Sequence, residues 1–158
     1  MNQVDLLKSL DSEAQKILAK YDKKRAAILT LLHLAQDKVG HVSPEVEAWV
    51  SKWTEEPIVH VHEVVTFYTM YHKKPAGRNH IRFCTGTSCM LGGMEKMLSH
   101  LKKKIGIADG ETTPDGRISL EEAECLCACE AAPMMQVNDD YHMDLDEKKI
   151  DRILDGLK

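Results

Sequence analysis

The sequence predicts an α+β protein in two parts, a helical bundle-like unit over residues 1–77 and an α/β domain over residues 78–158. Three observations predict it. Apolar residues in the first half recur at helical spacing. The polar segment from His72 to His80, with Pro75 and Gly77, reads as a linker. Beyond it the pattern runs strand, helix, strand, strand, strand, helix, the order of a mixed α/β domain. A chain of 158 residues is large enough to bury roughly 70% of its unfolded surface, so a core forms without covalent staples.

Taken in order, residues 2–39 read as helix in two or three pieces, with Ser12 as an N-cap and Ile28, Leu31, Leu32 and Ala35 on one face. Gly40 ends that run, as a left-handed C-terminal glycine does. Ser43-Pro44 starts the next helix with a capping hydroxyl and a proline at the first helical position. Its apolar stripe is Val46, Trp49, Val50 and Trp53. Pro57 opens a further short helix that carries Val61, Val64 and Val65 towards Phe67 and Tyr68. These stripes are core rather than cofactor site. His60 and His62 stand two apart, point to different faces of a helix, and so make a poor metal chelate.

In the second half, His80 to Cys84 alternates as a strand and Thr85 to Ser88 reads as a small-residue loop leading to Cys89. Met90, Met94, Met97, Leu98, Leu101 and Ile105 then lie at helical spacing, and the helix closes in Lys102-Lys103-Lys104, which suits its C-terminal dipole. The methionines are packing residues, since thioethers suit copper and little else here. Asp109 to Arg117 is a turn-rich connection. Residues 118–124 read either way: Ser119 with Glu122 matches a capping box, while Ile118 and Leu120 alternate as in a strand. Met134 to Val137 reads as a strand, Asn138 to Asp140 as a turn and Tyr141 to Met143 as its hairpin partner. A last helix presents Ile150, Ile153, Leu154 and Leu157 on one face.

Composition narrows the function. The hydrophobic fraction of 43% with 29% charged residues is that of a soluble globular protein. No apolar run approaches the roughly 20 residues of a membrane span. Between residues 105 and 147 Arg117 is the one basic residue against twelve acidic ones, which excludes nucleic acid as a partner of that half. Neither GxGxxG nor GxxxxGK[ST] occurs, so the chain has no nucleotide-binding loop of its own. An odd number of cysteines and an N-terminus without a basic-then-apolar leader point to reduced thiols in a cytosol.

All five cysteines lie in two clusters, Cys84 and Cys89, then Cys125, Cys127 and Cys129, with 35 cysteine-free residues between them. A thiol–disulfide enzyme would need C-x-x-C, and the spacings are C-x4-C and C-x-C-x-C. The first pair just fits a zinc knuckle and the second cluster does not, which leaves a zinc-stabilised binding or assembly module as a remote alternative. A nucleophilic cysteine wants a placed base, and only His80 and His100 are near in sequence. A [2Fe-2S] cluster, which takes two thiolates per iron from separate loops, explains more with less.

The residues also resemble a known family. Cys84-x4-Cys89, Glu124-Cys125-Leu126-x-Ala128-Cys129 and Ala132-Pro133-x-Met135-Gln136-Val137-Asn138-Asp139 look like the thioredoxin-like [2Fe-2S] subunit of NADH:quinone oxidoreductase, the NuoE family. The resemblance extends to Lys24-Arg25, Leu31 to Gln36, Val65 to Met70, Lys74-Pro75-x-Gly77 and Glu111 to Arg117, nearly the whole chain. It implies a helical unit followed by a thioredoxin-like ferredoxin domain, with 118–124 as strand. It also implies Cys84, Cys89, Cys125 and Cys129 as the cluster ligands. One departure stands out. Where members usually carry glycine between Leu126 and Ala128, this chain has Cys127, which leaves it a thiol behind the ligands, an alternative ligand or a bystander.

The resemblance further implies one-electron exchange with the flavin of an NADH-binding partner subunit, FMN and NAD being bound only by that partner. The isolated chain is then expected not to oxidise NADH. The same role in an NAD-linked hydrogenase or a formate dehydrogenase is the alternative. The implied location is cytoplasmic, peripheral at the inner face of the cell membrane through the complex. Glu121, Glu122, Glu124 and Glu130 are candidates to hold the cluster's potential low, because reduction adds negative charge.

Overall fold

In the computed structural model, which describes residues 2–158, the chain separates into one unit ending at Pro75 and another spanning Ala76–Lys158. The first is helical among its described residues: α1 (Gln3–Ser9), α2 (Asp11–Leu18), a 3-10 turn (Lys24–Ala27), α3 (Ile28–Val39), α4 (Pro44–Thr54) and α5 (Ile58–Phe67). Its core draws on each of them, with Ala14, Leu31, Leu32, Ala35, Val46, Val50 and Val61 fully buried. Ser43 caps α4 by accepting from the Val46 N–H, with Pro44 at the first helical position. The Trp49 and Trp53 indoles both donate to Asp11 Oδ1, at 3.0 and 3.3 Å, and tie α4 to α2. Gly40 ends α3 in the left-handed conformation.

Ser12 is not a cap. Leu10 serves both as the C-cap of α1 and the N-cap of α2, so the chain passes from one helix into the next and Ser12 lies inside the first turn. His60 and His62 go to separate carboxylates, Glu56 and Glu47, each at 3.0 Å. Phe67, at the end of α5, is exposed rather than part of the apolar interior.

The second unit contains a four-stranded sheet in the order β2-β1-β3-β4. Strand β1 (Asn79–Cys84) pairs in parallel with β2 (Ile118–Ala123) and antiparallel with β3 (Met135–Val137), which forms a hairpin with β4 (Asp140–His142). A parallel pair needs a crossover, supplied by α6 (Thr87–Leu91) and α7 (Met94–Ile105). The chain ends in α8 (Glu147–Gly156), capped by Asp146, whose side chain accepts from the Lys149 N–H. Leu98 and Leu101 of α7 and Ile150 and Leu154 of α8 share one core with Ile81, Phe83, Leu120 and Met135 of the sheet. Residues 118–123 are strand, not a capped helix. The Ser119 hydroxyl, offered by the sequence as a cap, is buried instead and accepts from the Gly77 N–H.

Some boundaries differ from expectation. The helix read through Met90 to Ile105 is broken at Gly92-Gly93, where Gly93 takes φ +86 and lets the chain turn between α6 and α7. Asp140 belongs to β4 and pairs with Val137, so the hairpin turn is the two residues Asn138 and Asp139.

Candidate metal centre

The two cysteine loops leave the sheet side by side. Cys84 is the last residue of β1 and Ala123 the last of β2, and these two are partners in the parallel register. The Thr85 N–H and hydroxyl both donate to the Ala123 carbonyl, at 2.7 and 3.2 Å, and clamp the loops at their roots. The Cys84 N–H donates to the Met134 carbonyl at 3.2 Å, anchoring the same point to the chain before β3. Gly86 is needed where it stands: a Cβ there would lie 2.5 Å from the Glu124 carbonyl oxygen. No other residue permits that approach of backbone to backbone.

The loops differ in construction. Cys84 and Cys89 are buried, one on β1 and the other inside α6. The loop predicted from Thr85 to Ser88 is thus shorter, because the α6 helix begins at Thr87. In the second cluster Leu126 and Ala128 are buried while Cys125, Cys127 and Cys129 are exposed, so the three thiols share the outward side. Cys127 has φ +62, a left-handed conformation that L side chains rarely adopt. Its N–H donates to Cys125 Sγ at 3.4 Å, and the two sulfurs are 4.0 Å apart. Asp144 and Leu145 N–H groups donate to the Ala131 and Pro133 carbonyls and fasten the 3-10 turn that starts at Cys129.

Cys84, Cys89, Cys125 and Cys129 line one cleft of about 610 Å³, together with Gly86 and Glu124; Cys127 does not line it. Burial, then the hydrogen bond that the Cys89 thiol makes with Cys84, push the Cys89 thiol up to about 11. Cys125 is held below the usual thiol range, first by the Cys127 N–H and then by the Cys127 and Cys129 thiols. Cys127 is raised in turn by its hydrogen bond with Cys125. Of the acidic residues singled out above, Glu121 pairs with His80 at 2.9 Å and Arg82 at 3.7 Å, and Glu122 with Lys102 at 2.5 Å. Glu124 and Glu130 are exposed and form no ion pair among the described residues.

Cys84 and Cys89 reach the cleft from the first loop, and Cys125 and Cys129 from the second. Among the described residues no three His, Cys, Asp or Glu side chains converge on a single ion. Four thiols from two loops on one cleft fit a [2Fe-2S] cluster, which takes two thiolates on each iron. The clustering of the cysteines, with the family resemblance, pointed to this set. The Gly86 approach, the Thr85 clamp and the outward alternation around Leu126 and Ala128 were missed; the small-residue run Thr85-Gly86-Thr87-Ser88 was the one available signal.

Paired cysteine loops at adjoining strand ends, set in a mixed sheet with helices in its core, place the molecule among iron–sulfur proteins. The chain belongs to the thioredoxin-like [2Fe-2S] ferredoxin family, whose model matches residues 14–158. It is 43% identical over 150 residues to the second E subunit of the NADH-quinone oxidoreductase of Rhizobium meliloti, covering 95% of this chain and 89% of that one. It is 46% identical over 151 residues to the E subunit of the NADH-quinone oxidoreductase of Rickettsia bellii, covering 93% and 90%. Among solved structures, an NAD+-reducing [NiFe]-hydrogenase in the air-oxidized state matches with a TM-score of 0.71 at 22% identity, over 82% of this chain and 22% of that chain. The last likeness is one of fold.

Proposed function

We propose that the chain is the [2Fe-2S] electron-transfer subunit of an NADH:quinone oxidoreductase, with Cys84, Cys89, Cys125 and Cys129 as the cluster ligands. The observation that supports the reading is that these four cysteines line one cleft at the adjoining ends of β1 and β2. When bound, the cluster supplies reversible one-electron transfer. The chain's own residues do the rest. Cys84 and Cys89 hold one side on rigid, water-excluding elements, and Cys125 and Cys129 bring the other side to the surface, where a partner can approach.

Glu124 and Glu130 oppose added negative charge because no cation among the described residues offsets them, whereas Glu121 and Glu122 are neutralised by their partners. One carboxylate about 8 Å away at an effective dielectric of about 20 is worth about 2 kcal/mol, on the order of 90 mV for one electron.

With no nucleotide-binding loop in the sequence, NADH and FMN belong to a partner subunit, and the chain exchanges one electron with that flavin. No helix among the described residues is long and apolar enough to cross a membrane; attachment to the inner face of the cell membrane comes through the complex. The two bacterial relatives, both named for the quinone enzyme, favour that host over a hydrogenase.

The test is iron and acid-labile sulfide content of the full chain. Two of each per chain are expected, with the reduced form paramagnetic; bound zinc without iron would overturn the reading. Dithionite should reduce the isolated chain and NADH should not, until the flavin subunit is added.

A further inference from the structure

We propose that Met90 and Leu91, at the outward end of α6, form the apolar anchor on which the flavin-bearing partner subunit docks. The inference rests on the cluster reading above and deepens it by naming the surface across which the electron passes.

The α6 helix is little more than one turn, so its side chains divide sharply between inside and outside. Cys89 is buried, while Met90 and Leu91 are 53% and 85% exposed. No other large apolar residue among those described is as exposed as Leu91. A leucine so placed adds nothing to the core, and its burial waits on a second surface. The mount is rigid. The Met90 and Gly92 N–H groups donate to the Gly86 and Ser88 carbonyls at 2.9 and 3.0 Å. Just past Leu91, a Cβ on Gly92 would lie 3.2 Å from the Pro133 nitrogen and 3.3 Å from the Ala132 carbonyl, so the end of α6 is pressed against the second cysteine loop. An apolar surface held in place this way loses little freedom when it is covered.

The surface is continuous with the cysteine cleft. Thr85 and Met90 line that cleft and also line a groove of about 590 Å³ that includes Met94 and Leu98 of α7. Electron tunnelling falls steeply with distance, so a flavin must come up to the mouth of the cleft. Whatever carries it covers Met90 and Leu91.

Charge says what that partner presents. Lys102 and Glu122, which also line the groove, neutralise each other at 2.5 Å. Glu124 lines the cleft and Glu130 follows Cys129, and neither has an ion pair among the described residues. The fitting surface is an apolar side chain seated on Met90 and Leu91, flanked by lysine or arginine towards Glu124 and Glu130. A second copy of this chain fits worse, since a two-fold contact through Leu91 brings the same uncompensated carboxylates into one interface.

The test uses the full chain, reconstituted with iron and sulfide, and the NADH-binding flavin subunit of the same complex. Dissociation constants are measured by isothermal titration calorimetry. Leu91→Ala is expected to weaken binding about 10-fold and Leu91→Asp about 100-fold, both with two irons and two sulfides retained. Glu130→Lys is expected to slow association about 10-fold at low salt; unchanged or faster association removes the basic flank. Met90 is expected to be protected from hydroxyl-radical oxidation in the complex, read by peptide mass mapping. Leu91→Asp binding within threefold of wild type, or Met90 oxidised equally in the free and bound chain, overturns the proposal. Should Leu91→Asp lose its cluster, Leu91→Ser decides on the same scale. A wild-type dimer that Leu91→Asp dissociates, with binding of the flavin subunit unchanged, would give the surface to a second copy instead. Wild type that holds iron and does not bind the flavin subunit would remove the partner reading, and wild type without iron the cluster reading.

Discussion

The first cysteine loop is held by regular secondary structure and the second by two buried side chains. Cys84 ends a strand, Cys89 sits within a helix, and both are buried. Cys125, Cys127 and Cys129 project to solvent from a segment with neither strand nor α-helix, secured through Leu126 and Ala128 between them. The contrast teaches a division of labour. Two thiols are shielded within strand and helix, and three are presented at the surface.

Chemical reactivity should show the largest difference. In the cluster-free chain, three thiols are expected to react promptly with a maleimide and two slowly, Cys84 and Cys89. If access to the buried pair needs a local opening of about 3 kcal/mol, the rates differ by about 100-fold. Equal rates for all five, read by peptide mass mapping, would break the comparison.

Adding or removing a side chain should have opposite signs in the two loops. Gly86→Ala puts a methyl group against the Glu124 carbonyl and is expected to cost about 1–3 kcal/mol, lowering the thermal midpoint of this unit by about 4 °C or more. Cys127→Gly relieves a left-handed L residue, worth about 1–2 kcal/mol and offset in part by glycine's unfolded-state entropy of about 0.5–1 kcal/mol. A small rise in midpoint is expected. A fall would mean that Cys127 makes a stabilising contact in the folded chain.

The smallest effect is electrostatic. Glu124→Gln is expected to raise the midpoint potential by up to about 90 mV. Glu121→Gln, whose carboxylate is already shared between His80 and Arg82, should move it much less. Redox titration of the two variants in parallel, with the order reversed, would remove the assignment of Glu124 as the tuning charge.

Much of this was legible in the sequence, because the signals are local. The Ser43-Pro44 cap, the Gly40 stop and the stripes of α3, α4 and α8 depend on neighbours within a few residues. Local spacing fell short where a distant partner decides. Residues 118–123, open between strand and capped helix by spacing and strand by the family resemblance, are strand because β1 lies beside them, and Ser119 turns inward to Gly77 rather than capping. The short α6 helix was hidden because Thr87 and Ser88 favour loops taken alone. For the site, the grouping of cysteines was legible in the spacing. Their unequal burial was not, since it follows from where β1 ends and where Leu126 and Ala128 find the core.

The pairing of Cys84 with Ala123 makes the β1–β2 ladder a ruler for the centre. Each rung advances about 3.3 Å and reverses the facing of the side chain. A single residue gained or lost within Asn79–Cys84 or Ile118–Ala123 would therefore set the two thiol pairs a rung apart and turn one cysteine away from its fellows. The same insertion at 109–116 would leave the β1–β2 register in place and break instead the hydrogen bonds that Gly110 and Glu111 make with Leu120. Chain-length variation among natural versions of this domain should then spare both strands.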